Sequence, residues 1–262
     1  MSIHFVETGN KDGASIVFIH GGGISSWMWD NQLKYFKDYH CITLDLPEHG
    51  LSVEEGTISI KGSVETVSDI IKKHANGEKA HVVGHSLGAK VVVELLNTAP
   101  NLVDHAVVAS ALFRPIPFQK SMHKLWVYKL TVSMMKVKWI ANSTIKKFNI
   151  PEKIDEDNFR KDIEKYTADR LYRIYDEVYQ KLILPEGLGQ CKVRTLVISG
   201  DKELKAMKQS VEDMIKLMPN SKGIYIKKAE HNYPWAMSDV FNKVVASWIE
   251  DEEIEDENII KL

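Results

Sequence analysis

Gly84-His85-Ser86-Leu87-Gly88 follows the apolar run Ala80-His81-Val82-Val83 and precedes Ala89-Lys90-Val91-Val92-Val93-Glu94-Leu95-Leu96. The order is strand, glycine-flanked serine, helix. That is the context of a nucleophile elbow, in which G-x-S-x-G forces a sharp turn and lifts the serine out of it. The glycines let the backbone turn tightly and let neighbouring chain pass close by. The serine then precedes a helix N-terminus, where free N–H groups and the helix dipole favour developing negative charge. A serine in this setting needs a base, an acid and an oxyanion hole, and the rest of the chain can be searched for them.

The totals frame the search. The chain has 262 residues, 44% hydrophobic and 27% charged, an ordinary globular composition. This length suits one α/β domain with an insertion, or two small domains. A formal net charge of −2 gives no reason to expect a nucleic-acid partner or general membrane attraction. No run is apolar for long enough to span a bilayer, so stable membrane insertion is not expected. The N-terminal residues lack a basic start and a long apolar core, so no signal peptide is read there and a cytoplasmic location is expected. Cys41 and Cys191 sit in apolar runs and read as reduced core residues rather than a disulfide framework. Oligomeric state is left open.

Short β-branched runs recur at Ile16–His20, Cys41–Leu46, Ala80–Gly84, Val103–Ser110, Thr195–Gly200 and Gly223–Lys227. Most lack polar alternation, which suits strands covered on both faces. Helical patterns fall at Trp29–Lys37, Gly62–His74, Ser86–Thr98, Glu203–Met218 and Pro234–Glu250. The alternation predicts a mostly parallel, doubly wound sheet, with Ser2–Thr8 as an antiparallel edge strand. Between about Arg114 and Gln190 the rhythm breaks into long helical patterns without a strand. We read 114–190 as an inserted helical cap on a core formed by 1–113 and 191–262. From Pro115 to Pro151 the insertion holds seven lysines and no Asp or Glu, among many large apolar residues such as Phe118, Trp126 and Trp139. Packing against the core is the plainest account of these apolar residues, an apolar substrate pocket a sharper one, and a basic amphipathic surface for anionic lipid a weaker one. Glu250 to Glu257 holds seven acidic residues and reads as a solvated, frayed helix end.

Among ten histidines, His231 has the right position to serve Ser86. It follows the last strand of the reading and precedes the last helix. The C-terminal ends of parallel strands are where open α/β sheets gather ligand-contacting residues, and Ser86 occupies an equivalent loop. The third member should be a carboxylate that orients the imidazole. Gly200-Asp201-Lys202-Glu203 offers two, while the loop after Val103–Ser110 offers none, so the acid is Glu203 or Asp201. An oxyanion hole needs two backbone donors: Leu87, next after the serine, and one from His20-Gly21-Gly22-Gly23. That glycine run lacks the spacing and the lysine of a phosphate loop. His20 reads as a brace for the loop.

These features, in the order Ser, acid, His, resemble the α/β-hydrolase superfamily over nearly the whole chain. Asp45-Leu46-Pro47-Glu48-His49-Gly50-Leu51-Ser52 is similar to that family's Asp-x-Pro-Gly-His-Gly-x-Ser loop, and Trp27-Met28-Trp29 looks like its small capped members. Such relatives include carboxylesterases, lipase-like enzymes, carbon–carbon bond hydrolases and cofactor-free haloperoxidases. The resemblance implies an α/β-hydrolase fold, Ser86 as nucleophile, His231 as base, Gly22 and Leu87 as oxyanion donors, and no cofactor or metal. It favours Glu203 over Asp201, because the family's acid usually lies three residues after the strand-ending glycine. Glu48 departs from the usual glycine and Arg194 from a frequent proline. A serine nucleophile argues against the haloalkane dehalogenase and epoxide hydrolase branches, which use aspartate. The expected activity is a carboxylesterase taking a small or medium acyl ester with an apolar acyl group. A ligand sensor that signals to a protein partner, or thioester, lactone or carbon–carbon hydrolysis or perhydrolysis on the same triad, are the alternatives.

Overall fold

The computed structural model describes residues 3–150, 153–180 and 182–262. Among these residues, eight strands form one sheet in the order β1-β3-β2-β4-β5-β6-β7-β8. They are β1 (Phe5–Gly9), β2 (Ser15–Ile19), β3 (His40–Leu44), β4 (Ala80–His85), β5 (Val103–Ala109), β6 (Arg194–Gly200), β7 (Ser221–Ile226) and β8 (Ile259–Lys261). The six inner strands run parallel, and the two outer ones pair antiparallel with β3 and β7. The predicted edge strand is β1; Ser2 lies outside the described residues.

The unbroken apolar runs are explained by the packing. Along β2, Val17 and Ile19 enter one core while Ile16 and Phe18 enter the other. Successive side chains point to opposite faces, so a strand covered on both sides needs apolar residues at every position. Phe18 has no exposed surface and packs against Trp29 and Phe36 at ring separations of 5.3 and 6.0 Å. Burying a side chain of this size contributes roughly 2–3 kcal/mol.

The helices are α1 (Asp30–Tyr35), α2 (Ile60–His74), α3 (Leu87–Thr98), α4 (Gln119–Met122), α5 (Leu125–Met135), α6 (Lys138–Lys147), α7 (Lys153–Glu164), α8 (Ala168–Tyr179), α9 (Lys205–Leu217), α10 (Tyr233–Ala236) and α11 (Ser238–Ile249). Helices α2, α3 and α9 supply one core, and α11 with Trp27, Met28 and Trp29 supplies the other. The Ser59 hydroxyl caps α2 by accepting from the Gly62 N–H at 3.1 Å. The last helical pattern is broken in two at Met237, where φ −131° and ψ 43° leave the helical region.

Helices α4 to α8 intervene between β5 and β6. The last two are tied to the loops and helices flanking the sheet by polar bonds. Asp162 accepts from Ser25 Oγ and Trp27 Nε1 at 2.8 and 2.7 Å. Glu177 accepts from the Ile60 N–H at 2.8 Å. The buried Lys90, on α3, donates its ammonium to the carbonyls of Val178 and Gln180, at 2.8 and 2.9 Å. A cation at the C-terminal end of α8 satisfies carbonyls that the helix itself leaves open.

The acidic tail differs from its reading as a frayed helix end. Helix α11 stops at Ile249, Asp251 turns the chain with φ 61°, and the chain returns to add β8 beside β7. Ile254 and Ile259 are buried, so apolar residues spaced through the acidic run anchor it. Arg194, lying over the Trp248 ring at 5.0 Å, also pairs with Asp251. Cys41 and Cys191 are buried and unpaired, and burial pushes the Cys41 thiol up to about 12. Among the described residues no helix is long and apolar enough to cross a membrane.

Candidate active site

Ser86 stands between β4 and α3 with φ 53° and ψ −109°, a strained conformation for a side-chain-bearing residue. The flanking glycines make it possible. A Cβ on Gly84 would sit 2.4 Å from the Gly88 carbonyl oxygen, and one on Gly88 would sit 2.2 Å from that of Ile19. The Ser86 N–H donates to Ala109 O at 2.8 Å, which fixes the turn to the neighbouring strand.

Ser86, Glu203 and His231 line one cavity of about 350 Å³. His231 Nδ1 lies 2.7 Å from Glu203 Oε2. Glu203 is almost fully buried, whereas the His231 side chain is 47% exposed. Burial alone would raise the Glu203 pKa. The bond and charge of His231, with bonds from Ser110 and the Gly200 N–H, outweigh burial and hold it down to about 2. Oε1 takes the Ser110 hydroxyl at 2.6 Å and the Gly200 N–H at 2.8 Å. With those two donors on one oxygen, Glu203 is ionised and its other oxygen is aimed at the imidazole. The Nδ1 proton then faces Glu203, leaving the Nε2 lone pair as the basic site. Among the described residues no hydrogen bond joins Ser86 to His231, and such contacts commonly tighten only when substrate is bound.

Of the two acids left open by sequence, Glu203 meets His231 and Asp201 does not. The Asp201 N–H continues the sheet by donating to Ile226 O at 2.9 Å, and its side chain makes no bond to His231.

Gly22 adjoins Leu87: a Cβ built on Gly22 would lie 3.7 Å from the Leu87 Cβ. Among the described residues neither amide donates to a protein acceptor. His20 braces this loop. Its Nδ1 donates to Gly21 O at 2.7 Å and its Nε2 accepts from the Leu46 N–H at 2.9 Å, tying two loops together. Burial lowers the His20 pKa, consistent with the neutral ring those two bonds require.

Several supporting residues escaped the sequence reading. Ser110 ends the β5 region with φ 58° and supplies a bond to Glu203, although its loop carries no acid. His85 packs against His231 with ring centroids 4.6 Å apart and planes inclined at 45°, and bonds to its carbonyl through Nε2 at 2.9 Å. Leu112, Ile116, Tyr175 and Tyr179 give the cavity its apolar wall. Glu48, where the resemblance calls for glycine, has φ 67°, a left-handed conformation that glycine adopts more readily. Its carboxylate pairs with Arg173 of α8, bonding Nε at 2.9 Å. His81, Asp104 and His105 form a ligand-like group at the opposite, N-terminal end of the sheet. Asp104 is bonded there to Lys79 at 2.8 Å, and His105 to Asp251 at 3.0 Å.

A model of the alpha/beta hydrolase family matches residues 16–244. The chain belongs to the alpha/beta hydrolase family. This hydrolase is 23% identical over 256 residues to the (E)-2-((N-methylformamido)methylene)succinate hydrolase of Acinetobacter baylyi, covering 94% of each chain. It is 23% identical to carboxylesterase YbfK of Bacillus subtilis, covering 94% of this chain and 83% of that one. A more local match, 35% identical, covers 40% of this chain and 38% of an AB hydrolase superfamily protein of Gibberella zeae. Among solved structures, the alpha/beta hydrolase MGS-M2 from a Medee basin deep-sea metagenome superposes with a TM-score of 0.78 at 18% identity, covering 97% of this chain and 96% of that one. At that identity the likeness concerns the fold.

Proposed function

We propose that this hydrolase is a cofactor-free carboxylesterase acting on a small or medium acyl ester through Ser86, His231 and Glu203. The observation that carries the reading is the 2.7 Å bond between His231 and the buried Glu203, beside Ser86 in one cavity. Ser86 Oγ attacks the ester carbonyl as His231 Nε2 takes its proton. Glu203 stabilises the imidazolium that forms. The Gly22 and Leu87 amides hold the oxyanion. The carbonyl re-forms, and the alkoxide leaves with the proton from His231. A water molecule then gives its proton to His231, attacks the acyl-enzyme and releases the acid, and the proton returns to Ser86. The segment 114–190 acts as the cap, since Ile116, before α4, and Tyr175 and Tyr179 of α8 form part of the wall facing Ser86. That wall suits an apolar acyl group. A cytoplasmic setting fits the two buried free thiols.

The test is a fluorophosphonate probe with intact-mass readout on wild type and Ser86→Ala. One adduct on wild type, with loss of fluoride, and none on the variant is the expected result. An adduct on both proteins would refute Ser86 as the nucleophile, and ester turnover surviving Ser86→Ala would refute the mechanism. The following substrate panel includes thioesters and lactones, because the Acinetobacter relative is named as a hydrolase and not as an esterase.

A further inference from the structure

Helix α5 is apolar on two sides. Tyr128 and Val132 are buried, while Trp126, Leu130 and Met134, spaced four residues apart, form a stripe on the exposed side. Trp126 is 65% exposed; Trp139, at the start of α6, is 72% exposed; Phe118, before α4, is more exposed still. A helix that is hydrophobic all round is normally covered on all sides, and a contiguous exposed apolar patch marks an interaction surface. The charge here is one-sided. The span Pro115 to Pro151 carries seven lysines and no acid, in a chain whose formal net charge is −2.

We propose that α4, α5 and α6 form a docking surface for an anionic lipid bilayer, lying at its interface without crossing it. Two features choose this occupant. Exposed tryptophans flanked by lysines fit the headgroup level, where the rings sit at the boundary and the ammonium groups reach the lipid phosphates. A second copy of the chain fits poorly, because a two-fold contact of this face with itself would bring one set of lysines against another. The surface also leads toward the site. Phe118, Lys120 and Lys124 line a groove of about 590 Å³ that shares Ile116 and Tyr179 with the cavity holding Ser86. An ester with an apolar acyl chain, drawn from the bilayer, would pass those two residues to reach the serine.

The test is co-sedimentation of the full chain with vesicles of phosphatidylcholine alone or mixed with phosphatidylglycerol. Sedimentation velocity is measured in parallel without vesicles. Docking needs no turnover, so Ser86→Ala protein should bind as wild type does, whatever becomes of the proposed esterase activity. Binding is expected to the mixed vesicles only. Reversing two surface charges with Lys129→Glu and Lys138→Glu should weaken it by at least about tenfold, since each lysine near an anionic surface adds a factor of several. Trp126→Ser with Trp139→Ser should also weaken it, by at least about tenfold, through loss of interfacial burial. Circular dichroism checks that these surface variants stay folded. The proposal is overturned if wild type binds neither vesicle, if it binds both equally, or if the lysine variant binds as well as wild type. A concentration-dependent dimer, abolished by the tryptophan variant and formed in place of vesicle binding, would also overturn it.

Discussion

Replacing Glu203 with glutamine tests the site at its most constrained point. Oε2 faces His231 Nδ1 at 2.7 Å, and Oε1 takes the Gly200 N–H at 2.8 Å and the Ser110 hydroxyl at 2.6 Å. Glutamine must put an amide NH₂ in one of these two places. Facing inward, it would set a donor against the Gly200 N–H and leave buried groups unsatisfied, at a cost of about 1–3 kcal/mol. Facing outward, it keeps the inner bonds but donates to Nδ1. The imidazole proton then moves to Nε2, and Nε2 can no longer take the Ser86 proton. The outward arrangement avoids the penalty and is expected to prevail. By analogy with the asparagine variant of a serine-protease triad, kcat should fall by about 10³- to 10⁴-fold with little change in KM. The assay is steady-state turnover of the best ester from the panel, with fluorophosphonate labelling rate as a second readout. Asp201→Asn is the control and should change kcat by no more than about threefold, since its side chain does not meet His231. If Glu203→Gln keeps more than about a tenth of wild-type kcat, the reasoning fails.

Acid should weaken the fold through the same group. The Glu203 carboxyl is held at about 2 against an ordinary 4.5, so its stabilising contribution is complete above about pH 4.5 and is lost as pH falls toward 2. This difference corresponds to something on the order of 3 kcal/mol, and denaturant melts of wild type and Glu203→Gln should diverge in that window. Asp162 behaves in the opposite sense. Burial raises its carboxyl from 3.8 to about 6, despite the bonds from Trp27 and Ser25, so the folded state binds the proton more tightly and stability falls as pH rises from about 4 to 6. Asp162→Asn should flatten this slope, and thermal melts from pH 4 to 8 that keep the full slope would count against the assignment. Gly84→Ala forces a Cβ to within 2.4 Å of the Gly88 carbonyl oxygen, so the elbow should shift, with loss of probe labelling and destabilisation of about 3 kcal/mol or more. Glu48→Ala and Glu48→Gly both remove the Arg173 pair, but only alanine keeps a Cβ at φ 67°. The glycine variant should be the more stable by about 1 kcal/mol in urea unfolding, and equal stabilities would mean that this backbone stores no strain.

The inner strands were legible because both sheet faces are covered, which writes Ile16 to Ile19 or Val82 and Val83 as unbroken apolar runs. That Ser86 and His231 would come to one cavity was legible because parallel topology gathers strand C-termini wherever they fall in the chain. The choice between Asp201 and Glu203 was not, because it depends on where each side chain points after the β6 turn. Helical pattern also overran the real boundaries, as at Glu203, which precedes α9 and bonds to His231 instead. Strand β8 was hidden by charge. Its three residues follow a run of acids, and only the burial of Ile254 and Ile259 reveals that the run is anchored. The partner of Glu48 could not be read either, since Arg173 comes from a helix far along the chain.

The polar ties to the rest of the fold are unevenly distributed over helices α4 to α8. Helices α7 and α8 are bound to it through Asp162, Arg173, Glu177 and the Lys90 ammonium. Helix α4 is joined to α8 instead, through His123 and Asp176, and the segment after α6 reaches the core through the Phe148 carbonyl. This division resembles a socket and an exchangeable tool. Descendants of this chain, or an engineer working on it, could replace the 115–148 segment wholesale while Ser86, Glu203 and His231 beneath keep their alignment.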